Sequence, residues 1–229
     1  MLSRLHASDR LLFGVVGLVL LFLIVAPVFL SAAQYELAFS EGGFFETASF
    51  WGWILSAGVI LFRIRPIGGR AIAFMILVLA FAAREADWQK KFTSDGVLKI
   101  NYYENAAIPL VERMLAGVVV LILIVGLVYA VWTSIRFLFF SKGWQTRTGF
   151  WLFLTGFSLV FGKILDGLPR ELDNLFSIQL GEAAVLHLGA LEEGIEAMSP
   201  FFFIVSVWLS GSGSSYLKRS SQQSENSVA

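Results

Sequence analysis

Long apolar runs separated by short polar pieces dominate this chain. An α-helix needs roughly 20 apolar residues to cross the hydrocarbon core of a bilayer. Six stretches predict such helices: Leu11–Ala33, Phe44–Phe62, Ala71–Trp88, Ile108–Ile135, Thr148–Leu168 and Ala183–Leu209. The reading is an all-α polytopic membrane helix bundle over 1–209. A Ser-, Gln- and Asn-rich segment, 210–229, follows as a disordered cytoplasmic tail. Arg4 and Arg10 precede the first run, which ends in Ser31-Ala32-Ala33, so it has the outline of a signal peptide. A cleavable apolar region is usually about 7–15 residues; this one is longer, which favours a retained anchor.

Composition agrees with a membrane setting. Hydrophobic residues make up 57% and charged residues 15%, where a soluble domain carries about a quarter charged. Mean hydropathy is +0.74. Net charge is +0 with no basic block, which excludes nucleic acid as an ordinary partner and leaves the lipid bilayer as the one implied. There is no Cys, and His6 and His187 are the only histidines. The chain therefore offers no haem, Fe–S or His/Cys zinc site. Oxygen-ligated Mg²⁺, Mn²⁺ or Ca²⁺ stays open.

Orientation follows from the bases. A cytoplasmic N-terminus puts Arg4, Arg10, Arg63, Arg65, Arg70, Arg136, Lys142, Arg147, Lys218 and Arg219 inside. It leaves Lys90, Lys91, Lys99 and Arg170 outside. Both termini are thus expected in the cytoplasm of a cell, with the protein multi-pass in a bacterial inner membrane.

Several apolar cores are too short to span alone, so their helices must extend through neighbouring charges. Those charges are Glu46, Arg84, Glu85, Asp87, Glu112, Arg113, Lys163, Asp166, Glu192, Glu193 and Glu196. With the assumed orientation, all fall in the outer half of the bilayer. Acids within spans are expensive and normally face protein or water-filled cavities. Here they outnumber the bases, so some must be protonated, solvated or bound to a cation. Glu192 and Glu196 share a helix face, Lys163 and Asp166 are close enough to pair, and Arg84 and Trp88 would share a face on a continuous helix. Gly162, Gly181, Gly189 and Gly194 near these charges would let helices approach closely.

The expected site therefore has Glu192, Glu193 and Glu196 as main carboxylates, with Glu85, Asp87, Asp166 and Glu46 beside them. Arg84, Lys163 and Arg113 are the counter-charges. The bland alternatives are charge pairs that only fix packing, and interfacial helix ends. Trp51, Trp53, Trp88, Trp132, Trp144, Trp151 and Trp208 mostly fall near span ends, as an aromatic belt would. His187 stands off the acid face. The Gln89–Ala107 loop holds turn chemistry in Phe92–Gly96 and a strand-like composition in Val97–Tyr103; it is either a lid over the charges or an exposed connection.

The patches READWQKKFT (84–93), LKINYY (98–103) and LEEGIE (191–196) resemble uncharacterised bacterial multi-pass inner-membrane proteins. The resemblance implies no activity. Seven-span metal hydrolases of the ceramidase type need three metal-binding histidines, and this chain departs from them with two.

The function expected is binding or translocation of a cation, a proton or a cationic solute at an outward-facing acidic site. One rival is a membrane enzyme that holds a divalent metal on the same carboxylates and acts on a lipid-linked substrate. The other is a non-catalytic membrane subunit or assembly factor. A transporter usually shows an internal repeat or helices broken at the midplane; no repeat is seen, and only Pro27 and Pro200 interrupt spans.

Overall fold

The computed structural model describes residues 7–88, 97, 99–105 and 107–226. It is all-helical, with no strand among the described residues. The helices are α1 (Ala7–Phe29), α2 (Ala32–Phe39), α3 (Phe44–Arg63), α4 (Gly69–Glu85), α5 (Ile100–Glu104), α6 (Leu110–Ile135), α7 (Arg147–Phe176) and α8 (Glu182–Asn226). A π-helical turn, Arg136–Phe140, continues α6, and a 3₁₀ turn, Gly143–Gln145, leads into α7.

Four stretches are long and apolar enough to cross a membrane: Asp9–Phe29, Ala32–Arg63, Leu110–Phe140 and Arg147–Phe176. That is the build of a multi-pass membrane protein. The other two expected spans are helices that do not meet the same test. α4 has 17 residues, about 25 Å at 1.5 Å per residue, short of the roughly 30 Å core. α8 carries Glu192, Glu193 and Glu196 in its first half.

Helix boundaries correct the sequence reading at three places. The first apolar run ends at Phe29. Ser31 then caps a separate helix, α2: its hydroxyl accepts from the Gln34 N–H while the Gln34 side chain reaches back to the Ser31 N–H. Gly42, at φ +77°, makes the turn into α3 in the left-handed region that glycine tolerates. α4 does not run on to Trp88, because Asp87 adopts φ +52° and its N–H bonds the Arg84 carbonyl, closing the helix. Arg84 and Trp88 therefore do not share a helix face. Finally, Ile100–Tyr103 of the strand-like segment lie in the helix α5. The proposed turn, Phe92–Gly96, lies outside the described residues.

By internal contacts the chain falls into two units, Met1–Ala48 with Gly156–Ser199, and Ser49–Thr155 with Pro200–Ala229. In the first, Leu23, Ala26, Phe39 and Ala190 form a buried cluster. The Phe39 and Phe45 rings stack at 5.0 Å between centroids. Gly194 admits Leu23 so closely that a Cβ there would lie 2.3 Å from its methyls. Small residues matter because lipid supplies no hydrophobic drive between helices, and close packing has to do so.

In the second unit, Trp53 and Trp151 are almost fully buried. Trp53 packs on Phe81 at 4.7 Å and Phe203 at 6.3 Å, and Trp151 on Phe202 at 5.8 Å. These two tryptophans belong to the core. Trp51, Trp88, Trp132, Trp144 and Trp208 are exposed, as belt residues would be.

Gly52 faces the Pro200 ring, and a Cβ there would meet its Cγ at 2.7 Å, against a ring that cannot swing away. Gly52→Val is expected to cost about 1–3 kcal/mol through overpacking. Gly58 lies on the same helix with open space around it, so Gly58→Ala is expected to be neutral or to stabilise by about 0.4–1 kcal/mol. Thermal unfolding of the detergent-solubilised variants measures both, and equal responses at the two positions would contradict the contact.

Candidate functional site

The charges form separate groups in the two units. In the first, α7 brings Lys163 and Asp166 together, and the first half of α8 brings Glu192 and Glu196. Lys163 Nζ lies 3.1 Å from Glu196 Oε1, 3.2 Å from Asp166 Oδ2 and 3.7 Å from Glu192 Oε1. The periodicities behind this are those read from the sequence, three residues apart on α7 and four on α8. Of the three N–H donors of the ammonium, Asp166 Oδ2 accepts one, and Glu192 and Glu196 stand as ion-pair partners. Fully ionised, the group carries one positive and three negative charges.

Burial is uneven across this group. The Lys163 and Asp166 side chains are 51% and 55% exposed, whereas Glu192 and Glu196 are 19% and 10% exposed. The glutamates on α8 thus sit deepest, with the lysine as a half-exposed cover. Gly162 makes this possible: a Cβ there would lie 2.7 Å from Glu196 Cγ. The missing side chain lets Glu196 lie along the backbone of α7, one residue from the ammonium it meets.

Neighbouring groups brace α8 here. The Tyr35 hydroxyl of α2 donates to the Leu186 carbonyl at 2.7 Å. Gly189 leaves space for that phenol, since a Cβ would approach its oxygen at 3.0 Å. His187 Nδ1 bonds the Ala183 carbonyl one turn back, at 2.7 Å, a satisfied helix-end histidine. Below the carboxylates, the Ser158 and Ser199 hydroxyls meet at 2.8 Å, and Ser199 also bonds the Ile195 carbonyl. Glu193, beside the other two glutamates, is half-buried.

The remaining expected residues make contacts of their own. Glu46 accepts from the Gly42 N–H and so caps the start of α3. Arg84 pairs with its neighbour Glu85 at 3.0 Å in the last turn of α4, beside Asp87. Arg113 donates to the Tyr103 carbonyl at 2.9 Å. Arg84, Glu85 and Asp87 belong to the second unit; Lys163, Asp166 and the three glutamates of α8 belong to the first.

Sequence reasoning missed the tyrosines. Tyr102, fully buried, donates from its hydroxyl to Glu112 Oε1 at 3.0 Å, and the Tyr103 hydroxyl donates to the Val97 carbonyl at 2.7 Å. With the Arg113 bond, these tie α5 to the first turn of α6. No spacing rule links residues on two separate helices, so nothing in the sequence marked the pairing.

Among the described residues, no three His, Asp or Glu side chains are grouped so as to hold one metal ion. The carboxylates around Lys163 converge on an ammonium instead. No protein family, curated protein or solved structure matches this chain.

Burial raises the Tyr102 phenol above its ordinary range, and the hydrogen bond and charge of Glu112 raise it further. A phenol whose folded pKa exceeds its unfolded value of about 10 contributes its full stability below that pH. The contribution is lost as pH rises through the folded value. Wild type is therefore expected to lose thermal stability more steeply than Tyr102→Phe over the interval above about pH 10. Parallel melting curves over that interval would show that the phenol carries no such linkage.

Proposed function

We propose that this is a bacterial inner-membrane protein that binds or translocates a cation, a proton or a cationic solute at an outward-facing acidic site. Lys163, Asp166, Glu192 and Glu196 form its centre, and Glu193 stands beside them. The observation that carries the reading is the ammonium of Lys163 held within 4 Å of three carboxylates from two helices. A lysine head group is a tethered cation, and its half-exposed position on two deeper glutamates is the position that a cationic ligand would take. The surplus of acid over base supplies the attraction, and the partly desolvated setting strengthens it. Arg84, Glu85 and Asp87 are a separate charged group, at the end of α4 in the second unit. The convergence on an ammonium favours this reading over an enzyme holding a divalent metal.

The same ion pairs support a second reading, a non-catalytic membrane subunit whose charges only fix helix packing. Glu192→Gln, Glu193→Gln and Glu196→Gln separate the two. For a binding site, the variants stay folded and lose the thermal stabilisation that a bound cation gives, about 2.7 kcal/mol at a hundred times its Kd. Sodium, calcium and methylammonium chlorides at constant ionic strength are the probes, with a pH series for protons. For structural pairs, the variants lose stability instead. Breaking a buried pair costs about 3–5 kcal/mol, and the half-exposed lysine brings that down towards the ~1 kcal/mol of exposed pairs. Variants as stable as wild type, with unchanged responses to every probe, would overturn both readings.

Orientation is tested separately. The excess of bases on alternate connections supports cytoplasmic N- and C-termini. Reporter fusions at Ser220 and Ser94 are expected to report opposite sides, Ser220 in the cytoplasm. A periplasmic Ser220 would turn the acidic site inward.

A further inference from the structure

The second unit carries an inference of its own, and every contact behind it lies within that unit. The link from α3 to α4 holds Arg63, Arg65 and Arg70 at its edges, and the link from α6 to α7 holds Arg136, Lys142 and Arg147. α8 joins the two links. Arg63 Nη2 donates to the Trp208 carbonyl at 2.9 Å, with its guanidinium 4.6 Å from the Trp208 ring centroid. Two residues earlier, the Ser206 hydroxyl donates to the Thr148 carbonyl at 3.0 Å. The six bases are thereby gathered at one end of α3, α4, α6 and α7.

The sequence holds no Asp or Glu between Glu46 and Glu85, or between Glu112 and Asp166. Arg65, Arg70, Arg136 and Lys142 are all exposed. Three aromatic side chains at the same end, Trp132, Trp144 and Trp208, are exposed as well. Exposed tryptophan at the end of membrane helices lies at the level of lipid headgroups, so the bases stand beside phosphate.

We propose that this end is a binding surface for anionic phospholipid headgroups, with Arg65, Arg70, Arg136 and Lys142 as the phosphate partners. Guanidinium forks bind phosphate oxygens in pairs, and lysine adds a point charge. The surface carries positive charge on two connections that α8 holds together, so two or more bases can engage one headgroup. The indole rings beside them cover the glycerol region of the same lipid. This surface does not depend on the acidic site.

The test uses the full-length purified protein in neutral detergent, titrated with phosphatidylglycerol or phosphatidylcholine and read by native mass spectrometry of retained lipid. Wild type is expected to retain phosphatidylglycerol well above phosphatidylcholine, and to lose the preference at high salt. Each base changed to Gln is expected to weaken retention about fivefold, from the usual energy of one base near an anionic surface. Arg65→Gln/Arg70→Gln and Arg136→Gln/Lys142→Gln are made separately, so that a variant that fails to fold leaves the other informative. Lys99→Gln and Arg170→Gln are controls and should leave retention unchanged. Equal retention of the two lipids overturns the proposal. So does retention that survives both double variants or falls equally in the controls, or displacement by millimolar inorganic phosphate.

Discussion

The backbone has to satisfy its own hydrogen bonds wherever lipid replaces water, and this constraint governs the rest of the structure. In hydrocarbon an unpaired N–H or C=O costs several kcal/mol, about what a lost hydrogen bond costs in an apolar solvent. Helices meet that demand locally. Many hydroxyls do as well, by bonding the carbonyl one turn back on their own helix: Ser56 to Gly52, Ser134 to Ala130, Thr155 to Trp151 and Ser199 to Ile195. With many polar groups so occupied, much of the contact between helices falls to shape. Glycines at 52, 162, 189 and 194 each admit a neighbour that a methyl group would hinder.

Charge is the exception to local satisfaction. A carboxylate cannot be neutralised by its own helix backbone, so each acid in or near a span needs a partner elsewhere or a helix terminus. Both solutions occur. Glu46 takes the N–H of Gly42 at the start of α3, where the helix dipole favours an acid. Glu192 and Glu196 have no terminus nearby and use the ammonium of another helix. A partly exposed lysine serves this well, because its long apolar stem crosses the packed region and its head still reaches water.

Much of this was legible in the sequence, and the limits follow from physical causes. Run length and hydropathy identify the long helices, and i,i+3 and i,i+4 spacing foretells that Asp166 joins Lys163 and that Glu192 and Glu196 point the same way. The capping box at Ser31 and Gln34 was equally readable, but the apolar run across it hid the break between α1 and α2. The end of α4 was not readable: nothing in Arg84–Trp88 demands the left-handed turn at Asp87. The strand-like composition of Val97–Tyr103 describes side chains suited to a pleated surface. The hydrogen bonds of Tyr102 and of the Tyr103 carbonyl to the start of α6 decide for a helix instead. Spacing along one helix names the side chains that share a face; it does not name the neighbour that face will meet.

Glu196 lies directly on the backbone of α7 at Gly162, with no side chain between them. The carboxylate is therefore also a spacer that sets the separation of two helices. An event that draws Glu196 away from Lys163 must move atoms that the backbone of α7 touches, and a shift of the two helices must in turn displace the carboxylate. Chemistry at this one side chain and mechanical movement of the helices are the same degree of freedom.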